Sequence, residues 1–186
     1  DASESDINLR IPLIEITEKT KYIFDGIKRV INNKFNVLVS GENGTGKKQI
    51  AYAINNIDSK TNIIIEFNTL DYMKDNFKDF LLGNISEKAF FSNKDIKFSK
   101  LSENILLVNI ETIPLESQVL LAHIIKRKSK HKSFFRGKRF IATSSINLKQ
   151  SLRNNNFSNE LFYALDMYNI FTLPLRHRKE DIRILI

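Results

Sequence analysis

Apolar positions change period several times along the chain. Tyr22, Ile23, Ile27, Val30 and Ile31 recur at three- and four-residue spacing, which predicts an amphipathic helix over 17–33. Residues 35–40 (FNVLVS) form a short apolar run closed by Gly41, the pattern of a buried strand. Ile50, Ala53 and Ile54 share one face of a helix over 47–56. Ile63-Ile64-Ile65 opens a second strand, 70–82 reads as a helix and 83–103 as loop. Residues 105–108 (ILLV) are a third buried strand, and Pro114 opens a helix over 115–128, since proline suits a helix start. Strands follow at 139–143 and 170–173, with a helix over 158–168 between them. Strands without polar alternation, separated by helices, are the pattern of a parallel sheet covered on both faces.

Composition narrows the class. A length of 186 residues with 42% apolar and 27% charged side chains suits one globular domain rather than a disordered chain. The absence of cysteine excludes a disulfide framework, a cysteine zinc site and a thiol nucleophile. No apolar run approaches the roughly 18 residues a membrane span needs. The first residues, Asp1 to Asp6, are acidic and polar, opposite in charge to a signal peptide, so a cytoplasmic location is expected. The 29 Lys and Arg against 21 Asp and Glu leave a net charge of +8. That excess would serve nucleic acid, phosphate ligands or an acidic partner, or it would follow from an Ile-, Lys- and Asn-rich usage typical of an A- and T-rich genome.

The strongest chemical signal is Gly41-Glu42-Asn43-Gly44-Thr45-Gly46-Lys47-Lys48, which fits G-x-x-x-x-G-K between a buried strand and a helix. Glycines there let backbone N–H groups turn inward around phosphate oxygens, and the helix start adds unpaired N–H groups and the positive end of its dipole. Lys47 would neutralise the outer phosphates. The next position usually carries Ser or Thr to ligate magnesium; Lys48 cannot.

The loop resembles GESGTGKE of the AAA+ domain of sigma-54-dependent transcription activators. The resemblance continues in order along 14–186. Residues 80–83 (FLLG) are similar to E-L-F-G, 113–118 (IPLESQ) to L-P-L-E-x-Q, and 140–145 (FIATSS) to I-I-A-A-T-N. Residues 157–165 (FSNELFYAL) are similar to F-R-E-D-L-Y-Y-R-L, and 173–182 (LPLRHRKEDI) to P-P-L-R-E-R-R-E-D-I. The resemblance implies a P-loop NTPase fold, namely the α/β subdomain of an AAA+ module. It implies a linker over 1–13, a nucleotide-binding subdomain over 14–175 and the start of a helical lid over 176–186. Residues 41–48 would bind ATP or ADP. It further implies transcription regulation of the two-component type, self-association into a ring, contact with sigma-54 RNA polymerase, and DNA binding through a domain outside this chain.

Several departures from the family pattern fall on chemistry. The family ends its third strand in Asp-Glu, for magnesium and for the attacking water. Counting back from Pro114 places Val108 and Asn109 there, and a one-residue slip places Asn109 and Ile110 there. Glu111 is the nearest carboxylate and would substitute only if the turn is rebuilt. The two arginine fingers fall on Ser158 and Ala164, with Arg153 nearby. The sensor Asn falls on Ser145, or Ser144 in a shifted register. The sigma-54-contacting signature GAFTGA corresponds to 88–93 (KAFFSN), where only Ala89 and Phe90 match and both glycines are gone.

A basic run, Lys126, Arg127, Lys128, Lys130, Lys132, Arg136, Lys138 and Arg139, carries Phe134 and Phe135 within it. It reads as a solvated loop, a polyanion contact with aromatic stacking, or a subunit contact. His123, His131 and His177 have no metal-ligand spacing, and Tyr22, Phe24 and Phe80 read as core. Three functions are therefore expected as alternatives. The first is a sigma-54-activator-type domain that binds ATP but hydrolyses it poorly; magnesium and enzymatic activity stay open. The second is a nucleotide-sensing or structural interaction module. The third is an active, divergent ATPase using Glu111.

Overall fold

The structure is a computed structural model that describes residues 20–59, 63–69, 76–82, 84, 86, 101–126, 135 and 137–179. Helix α1 (Lys21–Asn33) turns Ile23, Phe24, Ile27 and Val30 into the interior and stops at Lys34, which takes a left-handed conformation with its N–H on Val30 O. Strand β1 (Val37–Gly41) is followed by α2 (Lys47–Asp58), β2 (Ile64–Asn68) and α3 (Asn76–Leu82). Strand β3 (Asn104–Val108) leads through a 3₁₀ turn (Ile110–Thr112) into α4 (Leu115–Lys126). Strand β4 (Arg139–Ser144), α5 (Leu148–Arg153), α6 (Asn159–Leu165) and β5 (Tyr168–Thr172) complete the core, followed by a 3₁₀ turn at Leu175–His177.

The five strands form one parallel sheet in the order β2-β3-β4-β1-β5. Side chains alternate across it. Val37, Val39, Leu106, Ile141 and Ile170 pack under α1 and α2 with Ile27, Val30, Ile50 and Ile54. Leu38, Ile105, Leu107, Phe140 and Ala142 face α3, α4 and α6 with Phe80, Leu121, Leu161 and Leu165. Burial on both faces is why the interior strands β1, β3 and β4 read as near-continuous apolar runs, whereas burial alternates along the edge strands β2 and β5. The chain leaves β1, an interior strand, for the far edge at β2 and later jumps across β1 from β4 to β5. The C-terminal end of β1 is thus the switch point where open α/β sheets take ligands.

The fold expectation holds, with particular corrections. The helix expected over 158–168 ends at Leu165, because the chain enters β5 at Tyr168. Helix α5 was not foreseen; the Asn147 side chain caps it by accepting the Gln150 N–H at 3.3 Å. Tyr22 is not core but 40% exposed, and its hydroxyl donates to Phe171 O at 2.8 Å. Phe35 and Phe171 are exposed as well, and Tyr163 is the most exposed aromatic among the described residues at 69%. Among the described residues no helix is long and apolar enough to cross a membrane. The linker at 1–13 lies outside the described residues.

Candidate functional site

Residues 41–48 leave the buried end of β1 and enter α2 with the loop tightly bound at its base. A Cβ on Gly41 would stand 2.0 Å from Thr172 Oγ1 and 2.5 Å from Thr172 O, so only glycine lets β5 approach here. Gly46 caps α2 at φ 88°, a left-handed conformation that glycine adopts without a steric penalty, and no side chain caps the helix. The first N–H groups of the helix therefore stay directed into the loop. Thr45 Oγ1 lies 2.7 Å from Thr172 Oγ1 and donates to Glu42 O at 2.8 Å. Thr45 thus braces the loop and is buried.

The Lys47 ammonium reaches back across the loop and donates to Gly41 O at 2.8 Å and Glu42 O at 2.7 Å. Two of its three N–H donors are used in this way, and the third remains for an anion. Burial pushes Lys47 below the ordinary lysine value, and the charge of Glu111 opposes that shift. Glu111 therefore acts electrostatically on the loop lysine. A second clasp comes from after β5: Arg176 holds Glu42 through both nitrogens at 2.6 and 2.5 Å, and Arg178 donates to Thr45 O at 2.9 Å. The Arg176 hydrogen bond holds the Glu42 carboxyl below its usual range. Asn43 and Gly44 are exposed at the loop tip.

Lys48 does not face the loop interior. Its ammonium pairs with Glu66 on β2 at 2.7 Å and lies 5.6 Å from the Tyr52 ring centroid, while the Tyr52 hydroxyl bonds to the same Glu66. The Glu66 contact raises Lys48 above its ordinary value. At the end of β3, Val108 is apolar and half-buried. A cation accompanying phosphates would take an oxygen from the residue after Lys47 and a carboxylate from the end of β3, as the resemblance implies. Lys48 and Val108 supply neither, so these positions do not fit magnesium. Among the described residues there is no cluster of three or more His, Cys, Asp or Glu side chains that would hold a metal.

The turn after β3 is unusual. Asn109 sits at φ 59°, ψ 53°, a left-handed conformation that Asn tolerates better than most residues, and the 3₁₀ turn follows directly. Its N–H donates to Thr143 Oγ1 at 3.2 Å, and Thr69 Oγ1 lies 2.6 Å from its carbonyl oxygen. The turn carries Glu111 to the tip of β4, where Oε1 accepts the Ser145 N–H at 2.9 Å. Glu111 Oε2 and Ser145 Oγ are both buried without a hydrogen-bond partner. Ser144, the alternative sensor position, is engaged locally with Ile146 through its hydroxyl. Ser145 lines, with Gly41 and Glu42, a cleft of about 400 Å³ beside the loop.

The arginine-finger positions have structural duties. Ser158 caps α6 by accepting the Leu161 N–H at 3.3 Å, donates to Glu160 Oε2 at 2.8 Å and is buried. Ala164 is buried too, and its carbonyl accepts from Asn36 Nδ2 at 2.9 Å. Arg153 is exposed at the end of α5.

The basic run divides. Arg139 is buried, pairs with Asp58 at 2.8 Å and donates to Phe35 O at 2.6 Å and Val30 O at 3.2 Å, so it pins the base of the sheet rather than facing an anion. Phe135 is core, stacked on Phe140 at 5.9 Å and edge-on to Phe80 at 5.6 Å, which removes it as a stacking platform. Lys126 is exposed, and Lys138 is half-buried with its ammonium on Ser102 O. Residues 127–134, 136 and the stretch 88–93 lie outside the described residues.

A family model described as the sigma-54 interaction domain matches residues 13–171. The chain belongs to the sigma-54 interaction domain family. Among curated relatives of this family, a signal-transduction and transcriptional-control protein of Clostridium beijerinckii is 32% identical over 185 residues, spanning 94% of this chain and 29% of the relative. The DNA-binding transcriptional regulator NtrC of Escherichia coli K12 is 27% identical over 170 residues, 86% of this chain and 36% of NtrC. The chain thus spans 29% and 36% of the length of these two relatives. In fold it is similar to NtrX from Brucella abortus in complex with ATP, with a TM-score of 0.76 at 19% identity over 93% of this chain and 39% of NtrX.

Four contacts at the site were not legible as site residues: Glu66 on Lys48, Thr172 against Gly41 and Thr45, and Arg176 and Arg178 on the loop. Only the two arginines left a trace, as part of the 173–182 resemblance.

Proposed function

We propose that this chain is the nucleotide-binding AAA+ domain of a transcription regulator of the sigma-54-activator type, binding ATP or ADP through 41–48 and hydrolysing ATP slowly. The observation that carries it is the loop itself: uncapped N–H groups at the start of α2, with the Lys47 ammonium held across the loop on Gly41 O and Glu42 O. The relatives' names support the regulatory setting, and the ATP complex of NtrX supports the ligand. Slow hydrolysis follows from Val108 and Asn109 at the end of β3 and from Ser158 and Ala164 where fingers are expected. An arginine finger alone is worth about 10³–10⁵ in rate. Because Lys48 and Val108 do not fit magnesium, binding rests on Lys47 and backbone N–H groups.

On this reading 1–13 is a linker, 14–175 the nucleotide-binding subdomain and 176–186 the start of a lid. The protein works in the cytoplasm, self-associates into a ring and reaches DNA through another domain. A second reading, an interaction module without sigma-54 contact, is favoured by one observation: 88–93 lacks both glycines of GAFTGA. Titration with a fluorescent ATP analogue, with steady-state turnover measured beside an intact family member, tests the main reading. Binding with turnover at least about 10³-fold lower is expected. No binding, or matching turnover, overturns it. Failure to retain sigma-54 in a pull-down would select the second reading.

A further inference from the structure

We propose that Glu111 supplies the carboxylate that polarises the attacking water in this chain, taking a duty that Asn109 cannot perform. The inference rests on the nucleotide-binding reading above. Asn109 has no basic oxygen to accept a proton, but its left-handed turn brings the next carboxylate round to the tip of β4. The turn is fixed at several points: Asn109 N–H on Thr143, Thr112 Oγ1 donating to Asn109 O at 2.8 Å, Thr69 beneath, and the fully buried Ile110 as anchor. Glu111 is then aimed by the Ser145 N–H, which occupies Oε1 and leaves Oε2 as a buried acceptor without a partner. A buried oxygen in that condition carries a desolvation cost, and such groups call for an explanation in the chemistry around them. Ser145 Oγ, also buried and unpartnered, stands on the same residue that orients the carboxylate.

Two further observations direct the pair toward the phosphates. The charge of Glu111 acts on Lys47, the lysine that crosses the phosphate loop. Ser145 lines the same cleft as Gly41 and Glu42. A water between Ser145 Oγ and Glu111 Oε2 would therefore sit beside the terminal phosphate of a nucleotide held on the loop. In the reaction the water oxygen bonds to the terminal phosphorus as the bond from that phosphorus to the bridging oxygen breaks. The water's proton passes to Glu111 Oε2 and on to the departing phosphate, giving ADP and inorganic phosphate. Lys47 offsets charge gathering on the phosphate oxygens. The residual turnover of this domain runs through Glu111.

Single-turnover hydrolysis of radiolabelled ATP by the full chain in excess tests this, comparing wild type, Glu111→Gln and the surface control Glu116→Gln. Glu111→Gln keeps an oxygen for the Ser145 N–H and so preserves the turn, which circular dichroism checks. The expected result is unchanged affinity for a fluorescent ATP analogue with hydrolysis about 100-fold slower, the low end of a general-base contribution; Glu116→Gln leaves the rate unchanged. Equal rates in wild type and Glu111→Gln, or a wild-type rate no greater than that of ATP in buffer, overturn the inference while analogue binding persists. Absence of analogue binding to wild type overturns the nucleotide-binding reading itself, and this inference with it.

Discussion

The loop at 41–48 and the turn at 108–111 leave the same C-terminal end of one parallel sheet, yet they are built differently. The loop is held from three directions. Lys47 reaches its carbonyls, Thr172 packs against Gly41 and Thr45, and Arg176 and Arg178 clasp Glu42 and Thr45 from beyond β5. The turn after β3 keeps its backbone anchored but carries an apolar Val108, a left-handed Asn109 and a carboxylate with one idle oxygen. On the proposed reading, binding a phosphate chain needs a cradle of N–H groups and one cation, which the uncapped start of α2 and the Lys47 ammonium would supply. Rapid phosphoryl transfer also needs charges of both signs placed around the terminal phosphate, and on the same reading Val108, Asn109, Ser158 and Ala164 stand where the family resemblance implies several of them. Under the proposed function, this difference between the two regions corresponds to binding with slow turnover.

Three substitutions probe the comparison. The largest effect is expected from Lys47→Ala, which removes the ammonium that reaches across the loop to Gly41 O and Glu42 O; analogue affinity measured by fluorescence should fall about 100-fold, in line with loss of a charge-assisted hydrogen bond. Val108→Asp is expected to go the other way. A carboxylate at the end of β3 should make binding magnesium-dependent, about tenfold tighter with magnesium than with a chelator by isothermal titration. Arg176→Ala should have the smallest effect. Its fork with Glu42 is exposed, so thermal melts should move by no more than about 2 °C and the difference should vanish in high salt. The sign with pH is fixed. Glu42 is held below its ordinary value in the folded chain, so the contribution is present above the ordinary carboxylate range and is lost as pH falls through the lowered folded value. Wild type and variant should melt together at low pH.

The sheet was legible because strands buried on both faces leave continuous apolar runs, as at 105–108, and the loop was legible because its spacing is local. What was hidden depends on contacts far apart in sequence. Arg139 reads as one member of a basic run, but it is buried because it meets Asp58, 81 residues away. Phe135 sits in the same run and belongs to the core through Phe67 and Phe80. Lys48 is informative only once the fold brings Glu66 of β2 beside the start of α2. Glu111 is placed by the backbone angles of Asn109, which no spacing of residue types reveals. Helix α5 is short, and its start depends on one capping side chain rather than on an apolar period.

A phosphate cradle that works without a metal ion, as proposed for 41–48, is tested most directly by titrating the chain with a fluorescent ATP analogue in magnesium and again in excess chelator. Saturable binding with affinities within about threefold of each other is expected. Binding that collapses by more than about 30-fold on removal of magnesium would contradict it, because a cation would then be held by oxygens that Lys48 and Val108 do not provide.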